Sequence, residues 1–413
     1  MAPIDSPEHR RALAAHAERL FAFGEHSALP DGGFGWLDER GRVDSARPVE
    51  LWITCRTTHV FALAALHGRP GAAELVDHGV AALTGRFADP EHDGWFPALD
   101  PVTGAPSSDV KDAYPHAFVV LAASSAAAAR RPGARELLDE ALRVSLEHFW
   151  DDDAGMIVES WDRAFTELEP YRGINANMHT VEAYLAAWGV TRDREWLDRA
   201  LRIVERAVHE FARGNAWRLP EHFDPQWQPV LDYNRDVPAH PFRPYGATIG
   251  HWFEWSRLTL HARAELEALG GPVPEWLLSD AQGIFDAAVR EGWAADGEPG
   301  FVYTVDWDGQ PVVRERMHWV LCEAIAAAAA LHEATGQPRY AQLYLEWWDY
   351  AERCFVDDDG GSWWHELSSR HEVSRTVWDG KADLYHAVQA TLLPRLPLAP
   401  ALAPALAAGL LRD

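Results

Sequence analysis

His179 and Glu182 lie three residues apart, and so do His251 and Glu254, each pair inside a run of apolar residues. That spacing is close to one helical turn, so each imidazole shares a helix face with its carboxylate. A carboxylate beside an imidazole orients it and favours its charged form, which suits proton transfer near neutral pH. A satisfied internal hydrogen bond is the plain alternative; the recurrence of the pair favours acid–base work. Other capable residues recur in the same setting, at the starts of apolar helical stretches. They are Trp52, Arg56 and His59; Asp112, Tyr114 and His116; Asn175 and Asn177; Arg314, His318 and Trp319; and Lys381, Asp383 and His386. Arg56, within LWITCRTTHVFALAAL, needs an oxygen-rich partner: a substrate oxygen, Glu254 or another carboxylate. Trp52, Trp319 and Trp378 offer flat apolar faces, either to a sugar ring or to their neighbours. Arg243, in HPFRPYG, either binds substrate or pins its loop.

Rival chemistries have weaker support. The chain has no HExxH, no HxH and no cysteine pair with ligand spacing. A discontinuous site from His179, His251 and His386 is the metal reading that remains, and the expectation is no metal and no cofactor. No GxSxG marks a nucleophilic hydrolase. Paired carboxylates of a glycosidase have candidates in Asp112, Asp232, Asp383 and Glu366. Histidines, which such hydrolysis seldom needs, dominate the clusters instead.

The elements that position these residues repeat six times: helix, Gly/Trp-rich hairpin, helix. The hairpins are DGGFGWLDERGRV, DGWFPALDPVTG, AGMIVESWDRAF, AWRLPEHFDPQWQPV, GFVYTVDWDGQPVV and GSWWHELSSRHEVS, most of them about 60 residues apart. Helical apolar spacing predicts twelve helices, at roughly 6–26, 50–67, 71–86, 112–130, 133–149, 175–188, 194–213, 246–269, 275–291, 314–336, 337–353 and 380–394. Even-numbered helices are rich in small apolar residues and suit a crowded inner ring; odd-numbered ones carry more Arg and Glu and suit the outside. The expectation is all-α: a closed (α/α)6 barrel of twelve helices, rather than an open solenoid. Tight turns such as HGRPGA, ARRPGA and TGQPR follow the inner helices, while the hairpins precede them. All six hairpins are therefore expected over one face, at the inner-helix N-termini, where the polar clusters lie. The repeat spans 1–413 as one domain, with a C-terminal tail from about 396.

A formal charge of -26 argues against binding a phosphate backbone, so no nucleic-acid partner is expected. The start, MAPIDSPEHRRALAAH, lacks the apolar core of a signal peptide, and no apolar run suggests a membrane partner. Cys55, Cys322 and Cys354 read as reduced thiols, and the chain as cytoplasmic. A monomer or homodimer is expected.

Three segments carry a resemblance: RGINANMHTVEAYLA around His179, HPFRPYGATIGHWFEWSRL around His251, and GKADLYHAVQA around His386. In them, and over essentially its whole length, the chain resembles the N-acylglucosamine 2-epimerase superfamily. HPFRPYG and the overall length are most similar to the branch containing D-mannose isomerases and sulfoquinovose isomerase. MHWVLCEA departs from the pattern, with His318 where relatives often carry further aromatics. The resemblance implies the (α/α)6 barrel and a monosaccharide substrate. It implies that His251 and His386 are the catalytic histidines and that His179 is a third in the pocket. By the same resemblance, Arg56, Tyr114, Asn175, Glu254 and Trp319 hold sugar hydroxyls or support the histidines. The expected reaction is metal-independent interconversion of D-mannose and D-fructose, with a 2-epimerase or sulfoquinovose isomerase as alternatives. A sugar-binding toroid is the non-enzymatic one.

Overall fold

The computed structural model describes residues 3–412. Its helices are α1 (Pro7–Gly24), α2 (Leu51–Leu66), α3 (Ala72–Thr84), α4 (Ala113–Ala128), α5 (Ala134–Val144), α6 (Ile174–Thr191), α7 (Arg194–Val204), α8 (Ile249–Ala268), α9 (Trp276–Gly292), α10 (His318–Thr335), α11 (Pro338–Cys354), α12 (Tyr385–Leu392) and α13 (Leu402–Ala407). Local signals start and stop them. Ser6 caps α1 by accepting from the His9 amide at 3.2 Å, with Pro7 at the first position. Gly336, in the left-handed region, ends α10.

Even-numbered helices from α2 to α12 form the inner ring, each packed on the next, and α12 returns to α2. Their all-round apolar surface is buried on every side: α4 buries nearly everything from Pro115 to Ala126. Outer helices keep a single apolar stripe. In α5, Leu137, Leu138, Ala141 and Leu142 face inward while Arg135, Glu136 and Asp139 do not. The fold is thus the (α/α)6 barrel that the repeat predicts.

Short two-residue strands edge one face. Just before an inner helix, the chain pairs antiparallel with the hairpin of the following repeat: 49–50 with 98–99, 111–112 with 160–161, 172–173 with 222–223, 247–248 with 304–305, and 316–317 with 366–367. The sixth stitch closes the circle, as the Lys381 amide donates to the Leu37 carbonyl at 2.9 Å. That stitch explains why α12 is shorter than 380–394. Lys381 is spent on it, and Asp383 accepts from the Tyr385 amide at 3.2 Å, which starts the helix late.

The tail differs from expectation too. It carries α13, whose Ala403–Leu406 stretch is buried against α2, α4 and α6 at the end opposite the hairpins. Gly189 in α6 makes room for it, because a Cβ there would lie 2.6 Å from Pro404. The three cysteines are unpaired. Among the described residues no helix is long and apolar enough to cross a membrane.

Candidate active site

The interstrand stitches build a rim with a fixed pattern. The first amide of an inner helix donates to the hairpin carbonyl of Pro97, Glu159, Glu221, Tyr303 or His365, at 2.9–3.1 Å. These five residues are equivalent in the repeat, and Glu221, Tyr303 and His365 lie at the pocket inside the rim. Those first amides are therefore not free for an anion. The pocket encloses about 670 Å³ counting its open mouth. It is lined by Trp52, Arg56, Tyr114, Asn175, His179, His251, Glu254, Trp319, Trp378 and His386, with His318 and Asp383, whereas His59, Asp112, His116, Asn177, Arg314 and Lys381 of the same clusters are not among its lining residues.

Histidines 251 and 386 are held alike by carboxylates that the local spacing does not reveal. His251 Nδ1 donates to Glu221 Oε2 at 2.9 Å, and Glu221 Oε1 accepts from the Thr248 amide at 3.2 Å. His386 Nδ1 donates to Glu323 Oε1 at 2.8 Å. With both Nδ1 atoms committed, each ring presents Nε2 to its unbonded side, the tautomer a proton-transfer base needs. Trp319 packs near both, its ring 5.3 Å from that of His251 and 5.6 Å from that of His386. Gly250 makes that possible: a Cβ there would overlap the Trp319 ring.

The two i,i+3 pairs do not form. Strand register makes Arg172 equivalent to Ala247, so His179 corresponds to Glu254 rather than to His251. Accordingly His179 faces Glu254 of the next inner helix, with Nδ1 3.6 Å from Oε1. Glu182 instead accepts from Tyr385 Oη, and from Gln389 Nε2 at 2.9 Å. Glu254 is thus not the carboxylate that aligns His251.

Beneath the histidines lies a buried charge network. Arg257 Nε donates to Glu323 Oε2 at 2.8 Å, and its Nη2 reaches Glu254 Oε1 at 3.4 Å. Burial opposes ionisation of Glu323, but Arg257 and His386 outweigh it and pull the carboxyl down to about 2. Burial, reinforced by Glu323, pushes Glu254 well above the usual carboxylate range. The two neighbouring acids are thus shifted in opposite directions. Burial, then Arg56 and the two other pocket histidines, drive His179 well below the usual imidazole range, so it is neutral.

Arg56 finds its carboxylate in Asp383, and its Nη2 donates to Tyr114 Oη at 3.0 Å. Its guanidinium lies 4.3 Å from the Phe118 ring centre. Asp383 Oδ2 is also 4.0 Å from His386 Nε2. Arg56 and the two nearby histidines, 386 and 318, lower Asp383 against its burial. Trp36 stacks on Trp378, and Trp52 meets both edge-on at the mouth. Arg243 lies outside this pocket. It is bidentate on Glu169, at 2.7 and 2.9 Å, and packed over Tyr171, so it pins the loop.

Residues missed from sequence are Glu221, Glu323, Tyr303 and His365. Their signal is positional: three of them share one place in each hairpin repeat, and Glu323 lies on α10 one turn beyond Trp319. Of the glycosidase candidates only Asp383 lines the pocket, and it is occupied by Arg56. Asp232 is exposed, and Glu366 accepts three amides of residues 376–378. Among the described residues, His179, His251 and His386 do not form a group with metal-ligating spacing, whereas His179–Glu182–Glu254 and Glu254–Glu323–His386 do. In the latter, Arg257 already supplies the positive charge that a cation would bring.

The chain matches the family model described as N-acylglucosamine 2-epimerase (GlcNAc 2-epimerase) over residues 32–390. It is 56% identical over 400 residues to a D-mannose isomerase of Thermobifida fusca, covering 97% of each chain. To a D-mannose isomerase of Pseudomonas cannabina pv. alisalensis it is 50% identical over 404 residues, 98% of this chain and 97% of that one. A crystal structure of D-mannose isomerase superposes with a TM-score of 0.86 at 28% identity, covering 92% of this chain and 96% of the other. Hairpin repeat, barrel and paired histidines thus agree with the full-length matches, and the chain belongs to the N-acylglucosamine 2-epimerase family.

Proposed function

We propose that this chain is an aldose–ketose isomerase that interconverts D-mannose and D-fructose through an enediolate, by histidine-mediated proton transfer and without a metal. The observation that carries the reading is the matched pair of imidazoles in one pocket. Each has Nδ1 tied to its own carboxylate, Glu221 or Glu323, and both rings pack near Trp319. The relatives at 56% and 50% identity, both D-mannose isomerases, support the substrate.

In this reading His386 Nε2 removes the C2 proton of the open-chain aldose. The C2–H electron pair becomes the C1=C2 bond, and the carbonyl electrons move to O1. Glu323 on one side and Asp383 on the other stabilise the imidazolium so formed. His386 then returns its proton to C1 while C2=O forms. His251 trades protons with the sugar oxygens: it opens the ring, protonates O1 and accepts the proton that leaves O2. Arg56, held by Asp383 and Tyr114, and the neutral His179 supply fixed donors for the enediolate oxygens. Trp52, Asn175 and Trp378 frame the sugar. The substrate is a free monosaccharide, and the enzyme is read as a cytoplasmic monomer or homodimer with no nucleic-acid or membrane partner.

The test is product analysis after incubation with D-mannose in heavy water containing EDTA. The expected product is D-fructose, part of it deuterated at C1, at a rate unaffected by chelator. D-Glucose as the sole product would mean a 2-epimerase, and unlabelled, unchanged sugar would mean a binder.

A further inference from the structure

A second cavity adjoins the catalytic pocket behind Trp52, Tyr114 and Asn175, and it is the larger of the two, at about 1090 Å³ counting its mouth. Three carboxyl groups line it: Glu50, Asp112 and Glu159. Glu50 and Asp112 occupy the N-cap positions of α2 and α4, yet neither side chain caps its helix. Asp112 accepts from Ser160 Oγ at 2.5 Å. Glu159 is only 8% exposed, and its carboxyl has no hydrogen bond or ion pair among the described residues. Gly173 leaves room for it, since a Cβ there would overlap Glu159 Oε1. The cation at the rim, Arg243, is already matched by Glu169. His240 and the phenols of Tyr114, Tyr171 and Tyr233 complete the titratable groups lining the space among the described residues. Burial pushes the Glu50 and Glu159 carboxyls up to about 7, outweighing the pull of Arg47 on the first and of Arg243 and Arg172 on the second.

Among the described residues, three carboxyls and one arginine, itself held by Glu169, line this aromatic-walled space, and the excess of acid calls for a positively charged guest. A bare metal ion does not suit it. Among the described residues, these three acids do not form a group with donor atoms within 4.8 Å of one another. The spread suits a larger ion that reaches several carboxyls at once, while Tyr171, Tyr233 and Phe242 offer aromatic surface to its carbon frame. A neutral polyol would leave the mutual repulsion of the acids in place. We propose that this cavity binds a small hydroxylated organic ammonium ion, of the amino-alcohol or amino-sugar class, at a site distinct from the catalytic pocket.

Tris and pentaerythritol test the idea, because they share one shape and differ in carrying or lacking an ammonium group. Binding is measured by calorimetry at neutral pH on the full chain and on Glu159→Gln and His386→Ala. Tris is expected to bind at least about tenfold more tightly than pentaerythritol, and Glu159→Gln to weaken Tris by about tenfold, the scale of one charge-assisted hydrogen bond. His386→Ala is expected to keep the Tris affinity within about twofold. Equal binding of the two probes, no binding of Tris, or loss of Tris binding in His386→Ala would each overturn the proposal. Turnover of D-mannose by Glu159→Gln is a separate readout, so failure here leaves the isomerase reading standing.

Discussion

At the residue scale the site depends on which nitrogen of each imidazole is occupied. Removing the His386 ring should lower kcat by about 10²–10⁴-fold, the usual range for a lost general base, with an unchanged circular-dichroism spectrum. Carboxylate assignments separate cleanly. Glu221→Gln frees His251 to take the wrong tautomer, and kcat should fall by about 10–100-fold. Glu254→Gln changes a carboxyl that does not touch His251 and that burial already pushes toward its neutral form, so turnover should change far less; an equal or larger loss would return Glu254 to the role of aligning His251. Stability gives an independent check with a definite sign. Burial raises the folded-state pKa of Glu254, so the unfolded chain releases this proton first as pH rises. Native stability therefore falls as pH climbs past the unfolded value of about 4.3. Denaturant melts should show Glu254→Gln gaining on the parent above about pH 5 and showing no gain below about pH 4.

At the element scale, inner helices place their chemistry through register across the ring, not through spacing along one helix. His179 and Glu254 meet because they hold the same repeat position on neighbouring helices, whereas His251 is one turn out of step with His179. Gly250 shows how finely the arrangement is tuned. Alanine there gains about 0.5–1 kcal/mol of helix propensity. Overlap with Trp319 costs about 1–3 kcal/mol, so the clash wins. Gly250→Ala should lower the melting midpoint and, by shifting the indole that packs near both histidines, reduce kcat/KM for mannose. Unchanged kinetics would mean that Trp319 is packing only.

At the scale of the whole molecule the ring must close, and the closure has its own lock. Lys381 is fully buried, ion-paired with Asp357 and set 3.8 Å above the Trp364 ring centre. Its amide makes the sixth stitch to Leu37. Asp357→Asn strands this ammonium without a counter-charge, which should cost about 3–5 kcal/mol. One shared core around a closed ring predicts a single calorimetric transition, shifted down in this variant rather than split. Two separate transitions in the parent would argue against a single domain.

Repeat period, helix class and the face that carries the hairpins were legible in the linear chain, because each follows from local periodicity and punctuation. Most of the chosen site residues converge on one pocket because an inner-helix N-terminus is recognisable from the hairpin before it; Trp378 comes from the loop ahead of α12, and Arg243 falls outside. Partner choice was not legible. Glu221 reaches His251 across 30 residues, Glu323 reaches His386 across 63, and Asp383 reaches Arg56 across 327. Such pairs are set by the angle and register at which separate helices meet around the ring, and by bare positions like Gly250 that let them approach. Local spacing suggests a hydrogen bond along one helix; the closed barrel satisfies those groups between helices instead.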